Sequence, residues 1–207
     1  MSAESLSVDR WRSAWNELGV QASDSLFHEL SACYSQPHRH YHTLQHLQEC
    51  FAHFDQVRAS AQVPAEIEIA LWFHDAIYDT RSKDNEERSA QWAQTAAMEA
   101  GATDSTASRL AALVMMTKHD ARPADHDARL LVDVDLAILG ADRVRFDQYE
   151  EQVRREYSWV PGILYRRERR RVLQQFADRP QIYSTGHFLA TLEGPARANL
   201  ARSIARL

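Results

Sequence analysis

From Pro64 to Tyr78 the chain reads Pro-Ala-Glu-Ile-Glu-Ile-Ala-Leu-Trp-Phe-His-Asp-Ala-Ile-Tyr. After Glu68 no polar side chain appears until His74-Asp75. A helix that is apolar on several sides must be surrounded by other elements, and Pro64 suits its first turn. This stretch therefore demands a bundle with His74 and Asp75 delivered close to its core, near the end of the central helix. Asp79 follows four residues after Asp75.

The rest of the chain supplies apolar faces at helical spacing. Trp11, Trp15 and Leu18 form an i, i+4, i+7 stripe behind Ser7 or Asp9 as a cap, and Gly19 stops it. Leu26, Phe27, Leu30 and Tyr34 follow. A third helix, beginning near Tyr41 or His42, carries Leu44, Leu47, Phe51 and Phe54. Further periodic segments cover Asn85 to Met98, Thr106 to Thr117, Asp127 to Leu139, Phe146 to Tyr157 and Ile163 to Phe176. Pro195 opens a terminal helix. Residues 1 to 8 read as a frayed start, residues 79 to 85 as a polar loop, and the stretch after Asp120 through Pro123 as another. Strand-type alternation is scarce, so the expected class is all-α.

A chain of 207 residues can bury a full core without disulfides. One domain over residues 1–207 is expected, with 1–30 and 184–207 as peripheral helical extensions. Cys33 and Cys50 are too few for a disulfide scaffold and read as buried thiols. A net charge of -5 gives no global pull toward nucleic acid or an anionic membrane, although a local basic patch remains compatible with it. No apolar run approaches a bilayer span, and the first residues lack a signal-peptide pattern. The expectation is a cytoplasmic protein with no membrane partner.

The chemistry-bearing residues fall in three separated segments. Aspartate is rarely buried unless it is paired or bound to a cation, so Asp75 beside His74 at the end of an apolar run points to a cation. Upstream, His42 and His46 are spaced i, i+4, which brings two imidazoles to one side of a helix. Downstream, Asp133 and Asp135 interrupt an apolar segment. Two positions apart, they cannot both face one point on a regular helix. His119 closes another apolar segment and reads equally as a further ligand or as a C-terminal histidine favoured by the helix dipole. Substrate phosphates need cations, and Arg39, Lys83, Lys118, Arg166 and Arg170 are the candidates.

These segments together resemble the HD-domain superfamily of metal-dependent phosphohydrolases. The likeness is nearest to its predicted phosphohydrolases with a Tyr-His-x-x-x-His-Leu opening, here Tyr41-His42-Thr43-Leu44-Gln45-His46-Leu47. The namesake pair is His74-Asp75, the final element is Asp133-Val134-Asp135-Leu136, and Arg179-Pro180 with Ile182-Tyr183 is similar as well. The resemblance implies an HD-domain-like helical bundle around a divalent metal: Mn, Mg, Fe, Co, Ni or Zn. It implies His46, His74, Asp75 and Asp135 as ligands, with Asp133 the alternative to Asp135. His42 is then the proton donor, although other branches reverse the roles of His42 and His46. Asp79 would orient or deprotonate the attacking water. The implied activity is hydrolysis of a nucleotide or other small phosphate ester. A glutamate that follows the pair in the stringent-response branch is replaced here by Tyr78, which counts against hydrolysis of guanosine tetraphosphate. Cyclic-nucleotide phosphodiesterase or nuclease activity is one rival, although the acidic net charge disfavours long nucleic acid. Others are a non-catalytic metal- or nucleotide-binding domain, and a two-iron oxygenase-like site that requires His119 or another added ligand.

Overall fold

The structure, a computed structural model, describes residues 6–120, 123 and 125–207. Residues 1–5 of the expected frayed start, 121 and 122 of the expected loop that ends at Pro123, and residue 124 lie outside the described residues. Among the described residues the regular elements are all helical, as the periodicity requires. No helix among them is long and apolar enough to cross a membrane. The chain divides into two compact units, Met1–Val134 and Asp135–Leu207.

The first unit is built from α1 (Val8–Glu17), α2 (Asp24–Cys33), α3 (Leu44–Val57), α4 (Pro64–Phe73), α5 (Asn85–Glu99), α6 (Asp104–Met116) and α7 (His126–Asp135). The division between the units falls inside α7, so its last residue, Asp135, is carried by the helix of the first unit. The centre is α4, whose residues Ala65 to Phe73 are all buried, with α1, α3, α5 and α6 packed around it. Burying each of Ile67, Ile69, Leu71 and Phe73 contributes about 1.5–3 kcal/mol. Trp72 meets Trp11 edge-on at 5.9 Å and Phe27 at 5.2 Å. Trp11 and Trp15 are fully buried, which makes α1 part of this core. Ser7 caps α1 by accepting from the Arg10 amide.

Two carboxylates lie buried on α4, and each is paired. Glu66 accepts from Arg109 Nε at 3.0 Å, and Glu68 from Arg58 Nε at 2.8 Å and Arg10 Nε at 3.1 Å. No side chain of its own caps the start of α4. Instead Asp127, in the first turn of α7, accepts from the amides of Gln62 and Val63 at 2.8 and 2.7 Å. That fixes where the central helix begins.

The second unit contains a 3-10 turn (Leu136–Gly140), α8 (Arg143–Glu156), α9 (Gly162–Ala177), α10 (Gly186–Thr191) and α11 (Glu193–Arg206), with α11 packed on α9, α10 and the turn. The apolar pattern continues α7 through Leu139, but the α-helix stops at Asp135. The carbonyls beyond find side-chain donors: Tyr183 Oη donates to Leu136 O at 3.1 Å, and Asn199 Nδ2 to Leu139 O and Ala141 O, both at 2.9 Å. The tightened turn therefore keeps these carbonyls bonded. The terminal helix starts two residues before Pro195, at Glu193, whose carboxylate accepts from the Ile182 and Tyr183 amides.

Candidate metal centre

Two segments of the first unit meet at the C-terminal end of α4. On α3, the buried stripe Leu47, Phe51 and Phe54 has His46 and Cys50 beside it, spaced i, i+4, and both are buried. Regular α-helix in α4 ends at Phe73, and His74 to Ala76 form a turn. His74 is 1% exposed. Its Nδ1 lies 2.7 Å from Leu71 O, which can only accept. Nδ1 therefore carries a proton, which leaves Nε2 as the ring's available ligand atom.

That Nε2 is 3.1 Å from His46 Nε2 and 3.0 Å from Asp75 Oδ2, and His46 Nε2 is 3.5 Å from the same oxygen. These three atoms thus converge on one point, which either a proton on an imidazole or a cation can hold together. Burial alone would raise the Asp75 carboxyl, but His74, then His42, and hydrogen bonds from His46 and His74 hold it well below the usual carboxylate range. The geometry suits a divalent cation. Ligand atoms about 2.1 Å from one ion, separated by about 90–110°, lie about 3.0–3.4 Å apart. Two imidazole nitrogens and a carboxylate are also a usual donor set for first-row ions.

The imidazole pair belongs to a second grouping. His46, Cys50, His74 and Asp135 offer ligand atoms that all lie within 4.8 Å of one another. Asp135 closes α7 and is half-buried, whereas Asp133 is fully buried and outside the group. Cys50 Sγ is 3.7 Å from both Nδ1 and Nε2 of His46. Equal distances of that size place sulfur over the ring face, since an in-plane position would collide with the carbon between the nitrogens. Cys50 packs on the imidazole without pointing along its lone pair. Cys50 is a buried thiol as expected, and Cys33 is half-buried.

His42 is not on α3. Thr43 caps that helix by accepting from the Gln45 amide, so the i, i+4 argument for His42 and His46 fails. The preceding turn nevertheless brings their ring centroids to 6.0 Å, and His42 stacks on Tyr78 at 4.1 Å. Asp79 is exposed, and its carboxylate accepts from the Arg81 amide at 2.9 Å. Lys83 is exposed in the same loop, and Lys118 pairs with Glu87 at 2.5 Å. Arg166 and Arg170 are exposed on α9, whose inner side carries Tyr165, Arg169 and Leu173. Arg39, expected at the substrate, is buried, with its donors engaged by backbone carbonyls. His119 is half-buried with φ +58°, the left-handed conformation common just past a helix end, and is outside the ligand group.

Three neighbours of the site carried no reading as such in the sequence. Cys50 had a legible signal, its i, i+4 spacing from His46. Tyr34 Oη donates to Trp72 O at 3.1 Å and accepts from the Asp75 amide at 3.2 Å. Glu86, in the first turn of α5, is half-buried. Its carboxyl is raised by burial first, then by the negative charges of Asp75 and Glu87, against its own backbone amide and Lys118. Compared with models of known families, with curated proteins and with solved structures, the chain matches none.

Proposed function

We propose that this chain is a metal-dependent phosphohydrolase acting on a nucleotide or another small phosphate ester, as its HD-domain-like motifs imply. The observation that supports the reading is the convergence of His46 Nε2, His74 Nε2 and Asp75 Oδ2 within 3.5 Å, with the Nδ1 proton of His74 committed to Leu71 O. His46, His74 and Asp75 would hold the ion, with Asp135 as a further carboxylate. A divalent ion held there supplies Lewis acidity toward a phosphoryl oxygen and toward water.

The protein's own groups have separate tasks in this reading. The Leu71 carbonyl fixes the ring orientation and tautomer of His74, a partnership that strengthens an imidazole as a ligand. His42, held flat against Tyr78, is the proton donor to the departing oxygen. Asp79, in the exposed loop beyond the pair, orients water, and Lys83 in the same loop is the exposed cation proposed for substrate phosphate.

The test is product release from nucleotides, cyclic nucleotides and simple phosphate esters, with each first-row divalent ion and with Mg, using the parent and Asp75→Asn side by side. Metal-dependent turnover in the parent, lost in the variant, supports the assignment, and the preferred product sets the substrate class. Flat traces from a folded, metal-loaded parent overturn it in favour of a binding domain.

A further inference from the structure

We infer that Arg39 is a positioning residue that locks the turn carrying His74 and Asp75 to the turn carrying His42, rather than a phosphate ligand. The inference rests on the metal-site reading above for its consequence, but its geometry is independent of it.

Arg39 is 4% exposed. Its Nη1 donates to Asp75 O at 2.6 Å and to His42 O at 3.3 Å, Nη2 donates to Ala76 O at 2.8 Å, and Nε donates to Gln36 Oε1 at 3.1 Å. One nitrogen thus bridges the backbones of the proposed proton donor and of a proposed ligand. The guanidinium carbon also lies 5.3 Å from the Tyr34 ring centroid and 5.5 Å from that of Tyr78, the residue stacked on His42. All but one N–H of the fork is engaged inside the protein.

The end of α4 explains why a cation belongs there. A helix leaves its last carbonyls unpaired, with partial negative charge. Here Ala70 O accepts from the His74 amide, Leu71 O from His74 Nδ1, Trp72 O from Tyr34 Oη and Phe73 O from the Ala76 amide. Of the next three carbonyls, Asp75 O and Ala76 O go to Arg39. Its charge is offset by oriented carbonyl dipoles, and its planar fork matches three of them at once. A lysine, with one nitrogen on a flexible stem, cannot reproduce that pattern. Since the bonds run to the backbone of Asp75 itself, loosening them displaces the carboxylate relative to both imidazoles.

The experiment compares the parent with Arg39→Lys and with the milder Gln36→Ala, which removes only the Nε acceptor at an exposed position. The readouts are Co(II) affinity with its visible d–d spectrum, and metal-free hydrogen exchange at the Asp75, Ala76 and Ile77 amides. Arg39→Lys should weaken Co(II) binding about 10–100-fold, the range for loss of a partner that orients ligands, and change the band shape. Gln36→Ala should shift both in the same direction by less. Exchange at the three amides should accelerate in both variants while the buried amides of α5 and α6 hold. An Arg39→Lys protein with parental Co(II) affinity and spectrum overturns the inference. A parent that takes up no Co(II) defeats the metal reading instead. Exchange then decides on Arg39 alone: faster exchange supports the lock, and parental exchange rejects it.

Discussion

Asp75→Asn separates a metal centre from a proton-held ion pair, because the two make opposite demands on the metal-free protein. The carboxylate lies 3.0 and 3.5 Å from two imidazole nitrogens, and its side chain is 19% exposed. If a proton alone holds the cluster together, the variant removes one partner of a largely buried pair, and the metal-free protein should lose about 3–5 kcal/mol. If the cluster is a metal site, an amide of the same shape keeps a hydrogen-bonding partner for the imidazoles in the metal-free state and leaves its stability near that of the parent. The difference then emerges on adding metal. An ion at about 100 times its Kd stabilises the parent by about 2.7 kcal/mol, or about 5–11 °C in Tm for a chain of this length. If the variant binds about 100-fold more weakly, the same concentration adds only about 0.4 kcal/mol, or about 1–2 °C. The assay is thermal unfolding after chelator treatment, with and without Mn(II) or Co(II). No metal-dependent shift in the parent, together with a loss of about 3–5 kcal/mol in the metal-free variant, would refute the metal argument and leave a buried imidazolium–carboxylate pair.

Two further perturbations probe the supports of the site. Asp127→Ala strips the acceptor from the Gln62 and Val63 amides at the start of α4, so urea unfolding should show a loss of about 3–6 kcal/mol for two charge-assisted bonds; a change below about 0.5 kcal/mol would mean those amides find other partners. Glu86→Gln tests the raised carboxyl at the head of α5. A folded-state value above the unfolded one means that ionisation opposes folding, a penalty that develops as pH rises from the unfolded value, about 4.3, through the folded one. The metal-free variant should therefore be more stable than the parent near neutral pH and lose that advantage below about pH 4, whereas an advantage that persists in acid would exclude the charge as its cause.

The helical architecture was legible because its signals are local. The stripe of α3, the all-round burial of α4 and the stop at Gly19, at positive φ, follow from residue spacing and backbone freedom. Non-local bonding was not legible. Asp127 reads as the opening residue of its own helix, yet its carboxylate caps the approach to α4. Arg39 and Lys118 read as cations available to phosphate, and the structure engages one with carbonyls and the other with Glu87. The apolar run after Asp135 reads as more α-helix, because the sequence does not reveal that Tyr183 and Asn199 take its carbonyls.

At the motif pair the structure supplies a geometry that helical spacing alone does not. On a regular helix, neighbours point about 100° apart, so His74 and Asp75 as consecutive helical residues would not address one point. The α-helix ends one residue before them, and the turn that follows brings Nε2 and Oδ2 to 3.0 Å. The same holds upstream, where Thr43 takes the cap position between His42 and His46 and the turn, not helical periodicity, brings the rings together. In both places the cluster forms at a helix terminus. Substitutions that extend α4 through Asp75 or start α3 at His42 should therefore disperse these side chains even though every candidate ligand remains in the sequence.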